Sequence, residues 1–596
     1  MNVSEFIFDY YSKKGIDTAF MVTGGQAMWL NDAIGKNGNY DIICTHHEQS
    51  AAMSADAYGR IKNKPAITLV TAGPGAVNAM NGVVGGYTDS SPMIVISGQS
   101  KLSCVEYQEQ TGIRQYGVQG IYIKPLAEPA VKYFITIDDP QKIEYYLEKA
   151  YHEATTGRPG PVWIDVPLDI QSAQVDLKYL ERYEPEPKVE PRISVKQAVS
   201  HAYNLLKNAK RPVFIVGQGV ALAGAREDFY NYVNKARIPV ITARLGIDLM
   251  ESDNDLYVGR PGNYGERSAN IAIQNADLII SVGCRLATSL VGHDSKQFGK
   301  NAYIYVVDID QKELDKPGPN VKYKVKADAK DFFVQMDKEL ANNQLPDFSE
   351  WIAYCKSLKE NYPVCLPEYK DEKPVNSYYF VNELSKIADS NAAIMCDTGS
   401  CFHVACQTWK LKKGQNYLTT GGLSSMGYWV AGIGACLAND RKSTIVITGD
   451  GSLQMNIQEF ATIKHNNLPI KTFIFNNNGY LLIRHTQRNF MEDRFVGESP
   501  ASGVWCPDAM KIAEAYGIKG IRISSVDEVD EKIKEALDYD GPVICEVMTP
   551  EWQLLVPRVA SEKRPDGTLV SRNYEDMFPY LPKEELEELM IVNKDK

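Results

Sequence analysis

The sequence predicts an α/β protein made of three doubly wound parallel-sheet domains. Short apolar runs repeatedly end in glycine-rich or polar turns that open helical patterns, as strand–turn–helix units of a parallel sheet do. The stretches around Gly73 and Gly449 share the order strand, glycine turn, helix, which suggests two domains of like topology. Length agrees, since 596 residues at ~150 per domain give three or four domains.

The first domain, residues 1–182, begins its alternation with the apolar run 18–22, which ends in Thr23, Gly24 and Gly25. The run 40–45 leads to His46, His47 and Glu48, and a helix follows over 49–58. The run 66–70 then meets the turn 71–75 and a small-residue helix from Ala76. A Pro- and Glu-rich stretch, 183–192, has the composition of a linker. In the central domain, 193–345, residues 211–219, 276–283 and 302–310 look like buried parallel strands. A strand ending in Asp308 could bind a ribose hydroxyl, although Gly-Gln-Gly at 217–219 is a weak motif and Asp is common at strand ends. A loose connection is expected near 340–375. The third domain, 375–550, opens with a strand over 392–396 and a polar turn. The tail, 551–596, reads as a loop containing 565–567 and a helix over 583–590.

Composition excludes several classes. With 44% hydrophobic and 23% charged residues the chain is ordinary for a globular protein. A net charge of −11 argues against nucleic acid or an anionic membrane as partner. The eleven cysteines lack paired CxxC spacing, so neither a zinc site nor a disulfide framework is expected. No basic leader and no apolar stretch near the ~20 residues of a membrane span are visible. The expectation is a soluble cytoplasmic enzyme with reduced thiols.

The chemistry concentrates in the third domain. The run 443–448 ends in Gly449-Asp450-Gly451-Ser452, and the run 470–475 ends in Asn476-Asn477-Asn478-Gly479. Both turns fall at carboxyl ends of strands, where open α/β sheets bind ligands. Glycine lets the backbone approach a phosphate, and the following helix offers free N–H groups. Asp450 and Asn477 add two hard oxygen ligands, too few to cage a metal alone, which suits magnesium held together with phosphate and water. Each turn alone is commonplace. The pair, 27 positions apart, resembles the signature of enzymes dependent on thiamine diphosphate, which implies Asp450, Asn477 and the Gly479 carbonyl as metal ligands.

A wider resemblance, to the acetolactate synthase family, covers nearly the whole chain. It rests on His47-Glu48-Gln49-Ser-Ala-Ala-Met53, on Ala72-Gly73-Pro74-Gly75-Ala76-Val-Asn78, on the run 158–167, and on Gly421-Gly-Leu-Ser-Ser-Met426-Gly427. It implies the thiamine-diphosphate-binding fold, with a pyrimidine, a central and a diphosphate domain. On position alone Glu48 is a helix N-terminal carboxylate favoured by the dipole. By resemblance it is the proton relay to the cofactor's aminopyrimidine, a role suited to a carboxyl of raised pKa in an apolar pocket. Met426 would wedge the cofactor into its bent shape, and Pro74 and Asn78 would line the pyrimidine. Gly25 and Gln119 would lie near the reacting carbon. Thr398, Gly399, Ser400 and Cys401, with Gly451, Ser452 and Tyr480, would border the diphosphate. The family often holds FAD in the central domain, for which Arg158, Gly217, Gly219, Thr242, Arg285 and Asp308 are the candidates, FAD and an ADP-type nucleotide both remaining open. It also places the active site between two subunits, implying a homodimer or homotetramer.

Departures from the family pattern cluster on the acceptor side. Leu168 stands where acetolactate synthases carry Lys, and Arg285-Leu-Ala-Thr-Ser289 where they carry Arg-Phe-Asp-Asp-Arg. His485-Thr486 replaces Gln-Trp, and Thr23-Gly24-Gly25-Gln26 replaces Pro-Gly-Gly-Ala. Without the second Arg a free carboxylate acceptor loses a charge-assisted hydrogen bond worth roughly 1.5–3 kcal/mol, about tenfold to a hundredfold in binding. Arg484, His485 and Gln487 follow the metal turn and are either acceptor contacts or solvated loop side chains. The expected reaction is decarboxylation of pyruvate or a similar 2-oxo acid, with transfer of the two-carbon unit to a carbonyl acceptor such as a keto-sugar. The runner-up is a true acetolactate synthase of branched-chain amino-acid synthesis. A simple decarboxylase or oxidase comes third, and a non-catalytic nucleotide-binding subunit is the alternative from another class.

Overall fold

Three parallel six-stranded sheets, one in each third of the chain, carry the architecture. The computed structural model describes residues 1–187, 193–563, 566 and 568–592. The first sheet holds β1 (Thr18–Met21), β2 (Asp41–Cys44), β3 (Ala66–Val70), β4 (Met93–Gln99), β5 (Tyr133–Thr136) and β6 (Pro161–Pro167), in the order β2-β1-β3-β4-β6-β5. Strands β3, β4 and β6 are buried along their whole length, as parallel strands covered by helices on both faces must be.

The central sheet holds β7 (Pro212–Val216), β8 (Val240–Thr242), β9 (Tyr257–Gly259), β10 (Leu278–Val282), β11 (Tyr303–Asp308) and β12 (Val321–Lys326). Its order, β12-β11-β10-β7-β8-β9, reverses between β7 and β10. Such a reversal opens a crevice at the carboxyl ends of the strands. The third sheet holds β13 (Ala393–Cys396), β14 (Asn416–Thr419), β15 (Thr444–Gly449), β16 (Ile470–Asn476), β17 (Lys519–Ile523) and β18 (Val543–Met548), ordered β14-β13-β15-β16-β18-β17. That is the winding of the first sheet repeated. The turns at Gly73 and Gly449 both follow the third strand of their sheet, so the echo in the sequence reflects equivalent places.

The outer domains meet through the helices Glu48–Lys62 and Ala431–Ala438, which share one apolar core. Their backbones come so close that a Cβ on Gly434 would lie 1.8 Å from the Ser54 carbonyl oxygen, and only glycine fits. Strands β2 and β3 place Glu48 and the Gly73 turn on the carboxyl rim of the first sheet, while β15 and β16 place their turns on the carboxyl rim of the third.

Two expectations change. The loose connection near 340–375 carries the helix Ser349–Asn361, whose Trp351 Nε1 donates to the Pro212 carbonyl at 2.9 Å and packs it on the central sheet. The tail is no simple loop before its helix Lys583–Leu589. It pairs Arg558–Val559 with Met577–Phe578 and Ser561–Lys563 with Leu569–Ser571, both antiparallel. It docks on the helix Arg267–Asn275 through Arg267 to the Pro579 carbonyl (2.6 Å) and Gln274 to Glu575 (2.7 Å). Of the linker expected at 183–192, residues 188–192 lie outside the described residues, as do Pro565 and Gly567 of the tail loop.

Candidate active site

The turns after β15 and β16 come together as their spacing suggested. Asp450 opens the helix Asp450–Leu453 and is buried. Its Oδ1 accepts the Gly451 N–H and its Oδ2 the Gly479 N–H, both at 2.9 Å. Burial pushes this carboxyl up to about 7. Asn477 sits beside it, 3% exposed, and its Oδ1 is buried without a hydrogen-bond partner among the described residues. Its Nδ2 reaches the Ser400 Oγ at 3.4 Å. Gly479 has φ +126°, and a Cβ there would lie 2.0 Å from the Glu498 carbonyl oxygen. Tyr480 covers Gly451, whose missing Cβ would fall 2.1 Å from the Tyr480 ring. No group of three or more His, Cys, Asp or Glu able to cage a metal occurs among the described residues. An orphaned amide oxygen next to a buried carboxylate fits a hard cation that takes its remaining ligands from phosphate and water.

The neighbouring turn joins β13 to the helix Ser400–Thr408, with Gly399 at φ +99°. Here the sequence reading missed the organising residue. Asp397, fully buried, accepts bonds from the Thr398 N–H (2.7 Å), the Tyr428 N–H (3.1 Å), the Thr448 hydroxyl (2.8 Å) and the Ser452 hydroxyl (2.6 Å). Burial pushes its carboxyl up to about 6. Ser452 thus turns inward and also accepts the Gly427 N–H at 2.8 Å. Cys401 Sγ donates to the Thr398 carbonyl at 3.1 Å. The segment bearing half-buried Met426 is held at its far end by Ser452 and Asn456, and at its near end by Asp89, which accepts the Gly421 and Gly422 N–H groups at 2.8 and 2.7 Å.

Glu48 begins the helix Glu48–Lys62, capped by His47, and its Oε2 accepts the Asn78 Nδ2–H at 3.0 Å. Gly75 permits this approach, since a Cβ there would sit 3.3 Å from the Glu48 Oε1. Pro74 is exposed at the start of the helix Pro74–Thr88. Gln119 is left-handed (φ +56°), and its carbonyl oxygen would be 2.4 Å from a Cβ on Gly73, so its backbone braces that turn while its side chain stays exposed. Gly25 is exposed and faces open space. The apolar pocket expected around Glu48 is not closed by this chain alone. Glu48 is half-buried, and Val77, Met455 and Leu423 are 43%, 48% and 39% exposed. Among the described residues no hydrogen bond joins Glu48 or Asn78 to Asp450, Asn477 or Gly479.

The central crevice holds roughly 1510 Å³ of empty space, open solvent included, and reaches from β7 and β10 to Asp89, Ser90 and Gly421 of the flanking domains. Gly217, Gly219, Arg158, Arg285 and Asp308 line it, whereas Thr242 is buried at the end of β8 and is not on its wall. A Cβ on Gly217 would fall 2.4 Å from the Gly283 carbonyl oxygen. Arg158 binds Asp310 (3.0 Å), Glu313 (2.9 Å) and the Ser90 hydroxyl (2.8 Å), and Arg285 binds Glu313 (3.1 Å) and the Thr88 carbonyl (2.9 Å). Burial raises the pKa of Asp308. Arg244, which no sequence pattern marked, also lines the crevice, its guanidinium 4.2 Å from the centre of the Phe402 ring.

On the acceptor side, Leu168 starts the short helix Leu168–Gln171. Arg484 is buried and Gln487 bonds the backbone of Val496, so neither is a free contact for an acceptor. His485 stacks on Trp552 with centroids 6.3 Å apart, its Nε2 is buried without a hydrogen-bond partner among the described residues, and burial lowers its pKa to about 4.

Three family descriptions match the chain in order. They are thiamine pyrophosphate enzyme, N-terminal TPP binding domain, over residues 1–121; its central domain over 199–336; and its C-terminal TPP binding domain over 397–547. A probable acetolactate synthase large subunit of Methanococcus aeolicus is 32% identical over 570 residues, 92% of each chain. The acetolactate synthase large subunit of Cyanidium caldarium is 30% identical over 94% of each chain. The isozyme 1 large subunit of Escherichia coli is 29% identical over 93% of this chain and 95% of its own.

Proposed function

Because the chain belongs to the thiamine pyrophosphate enzyme family and is a thiamine-diphosphate-dependent enzyme of the acetolactate synthase type, we propose that it decarboxylates pyruvate or a similar 2-oxo acid and passes the two-carbon unit to a carbonyl acceptor. The observation that carries this reading is the buried, unpartnered Oδ1 of Asn477 on a turn tied to Asp450. Asp450, Asn477 and the Gly479 carbonyl hold Mg2+ and through it the diphosphate, bordered by Thr398, Gly399, Ser400, Cys401, Gly451 and Tyr480. Thiamine diphosphate, when bound, supplies the nucleophilic carbon and the electron sink for loss of carbon dioxide. The Glu48 carboxyl, its Oε2 kept in place by Asn78, holds and returns a proton of the pyrimidine ring. Met426 braces the cofactor, Pro74 lines its pyrimidine, and Gln119 and Gly25 lie beside the reacting carbonyl. Domains 1–182, 193–345 and 375–550 share these tasks, with 551–596 as a tail on the central domain.

The central crevice takes FAD or an ADP-type nucleotide. Its switch-point position and glycine contacts support this, with Arg158, Gly217, Gly219, Arg285 and Asp308 on its wall. The half-open surroundings of Glu48 support a homodimer or homotetramer in which a second copy closes the site.

Ser289 and Leu168, where the resemblance places Arg and Lys, support an acceptor other than a free 2-oxo acid, such as a keto-sugar. A second reading, acetolactate synthesis itself, is favoured by the names of the relatives. Incubation with Mg2+, thiamine diphosphate and pyruvate alone separates them. Slow carbon dioxide release without acetolactate supports transfer to another carbonyl, whereas rapid acetolactate formation establishes the second reading.

A further inference from the structure

The turn that bears two of the three proposed metal ligands is gripped from outside by one buried ion pair. Arg484 and Glu498 have side chains 3% and 5% exposed and meet at 2.6 Å. A guanidinium presents five N–H groups in a rigid planar fork, and here all five are used. Nε donates to the Glu498 carboxylate, one terminal nitrogen to the carbonyls of Asn477 (3.2 Å) and Glu551, and the other to the carbonyls of Asn478 (3.0 Å) and Glu498 (3.5 Å). The carbonyls of Asn477 and Asn478 are therefore both drawn toward Arg484.

Glu498 completes the grip with its backbone. Its carbonyl accepts the Tyr480 N–H at 2.8 Å. In a trans peptide the N–H and the preceding C=O point in opposite directions, so this bond aims the Gly479 carbonyl away from Glu498. Gly479 is needed for the approach, because any Cβ would collide with the same Glu498 oxygen. The Gly479 N–H is already committed to Asp450. Of the oxygens on the turn's buried residues Asn477 and Gly479, those left unclaimed among the described residues are the Asn477 Oδ1 and the Gly479 carbonyl.

We propose that Arg484, anchored by Glu498, is a positioning residue that presets the metal turn, spending its donors on the wrong carbonyls so that the right two oxygens face the ion. The assignment rests on the metal site proposed above. It also removes Arg484 from the acceptor pocket.

The test measures Mn2+ binding to the full chain in the presence of thiamine diphosphate, from the free-ion paramagnetic resonance signal, alongside thermal melting of the metal-free chain. Arg484→Met is expected to weaken Mn2+ binding at least tenfold, with Arg484→Lys intermediate because it keeps the charge but not the fork. Glu498→Gln keeps the backbone carbonyl and the side-chain shape, so it is expected to fold and to weaken binding several-fold if Arg484→Met does not fold. Unchanged Mn2+ affinity in the folded variants, with only a lowered melting midpoint, overturns the positioning role while leaving the metal site standing. A wild-type chain that binds no Mn2+ with thiamine diphosphate overturns both.

Discussion

Glu48 and Asp450 are both acids at helix starts, and their surroundings separate their tasks. Asp450, the proposed metal ligand, is sealed in, with both oxygens committed to backbone N–H groups that fix its position. Glu48, the proposed proton relay, is half open and held by one amide, which suits a group that exchanges a proton. Glu48→Gln preserves the shape and removes the proton. It is expected to bind thiamine diphosphate normally by calorimetric titration while carbon dioxide release falls about 10²–10⁴-fold, the usual range for a lost general acid–base group. A rate near wild type takes Glu48 out of the proton transfer. Asp450 was picked out by the spacing of its turn, and Glu48 by the family resemblance. Asp397 was not, because its four partners come from three separate segments of the chain, and an Asp closing a strand looks the same in sequence whether it caps its own turn or ties several segments together.

At the scale of the element, β4 and β6 share a buried acid. Asp165 accepts bonds from Ser97 (2.6 Å), Gln99 (3.2 Å) and Thr136 (3.4 Å), and Gln99 also donates to the Ile121 carbonyl (3.0 Å) below the loop of Gln119. Burial pushes the Asp165 carboxyl from 3.8 up to about 7. The folded chain therefore holds this proton where the unfolded chain has lost it. Its contribution to stability is complete below about pH 4 and is lost as pH rises toward 7. Asn mimics the protonated form. Asp165→Asn is expected to melt like wild type near pH 4 and at a higher temperature than wild type at pH 8, and parallel melting curves at the two pH values contradict it. The strands themselves were readable, because burial on both faces leaves continuous apolar runs. The helix Ser349–Asn361 and the tail ribbons were not, since their stability comes from docking on the distant Pro212 and Arg267 rather than from local pattern.

At the scale of the whole molecule, the proposed proton relay and the proposed metal turns lie on the rims of different sheets. Among the described residues no hydrogen bond joins Glu48 or Asn78 to Asp450, Asn477 or Gly479 within one chain, although His46 donates to Glu459 (3.0 Å) and Ser50 to Asn456 (3.3 Å) close by. If two copies pair each rim with the other's, Glu48→Gln and Asp450→Asn are each inactive alone but complement on mixing and re-equilibration. Random pairing makes half of the dimers mixed, each with one intact site of two, so about a quarter of wild-type activity is expected. No recovery places each site within a single chain. The three-sheet architecture and the family were determined by the sequence alone, which also singled out Glu48, Asp450 and Asn477 for their proposed roles. Parallel-sheet periodicity and ligand turns are local patterns, and local patterns survive in one dimension. The tertiary structure alone decided that Asp397 and Asp89 lock the Met426 segment, that Arg484 is buried against the carbonyls of Asn477 and Asn478, and that Thr242 stays off the crevice wall. Each depends on which distant groups packing across sheets and domains brings together, and no spacing along the chain encodes that.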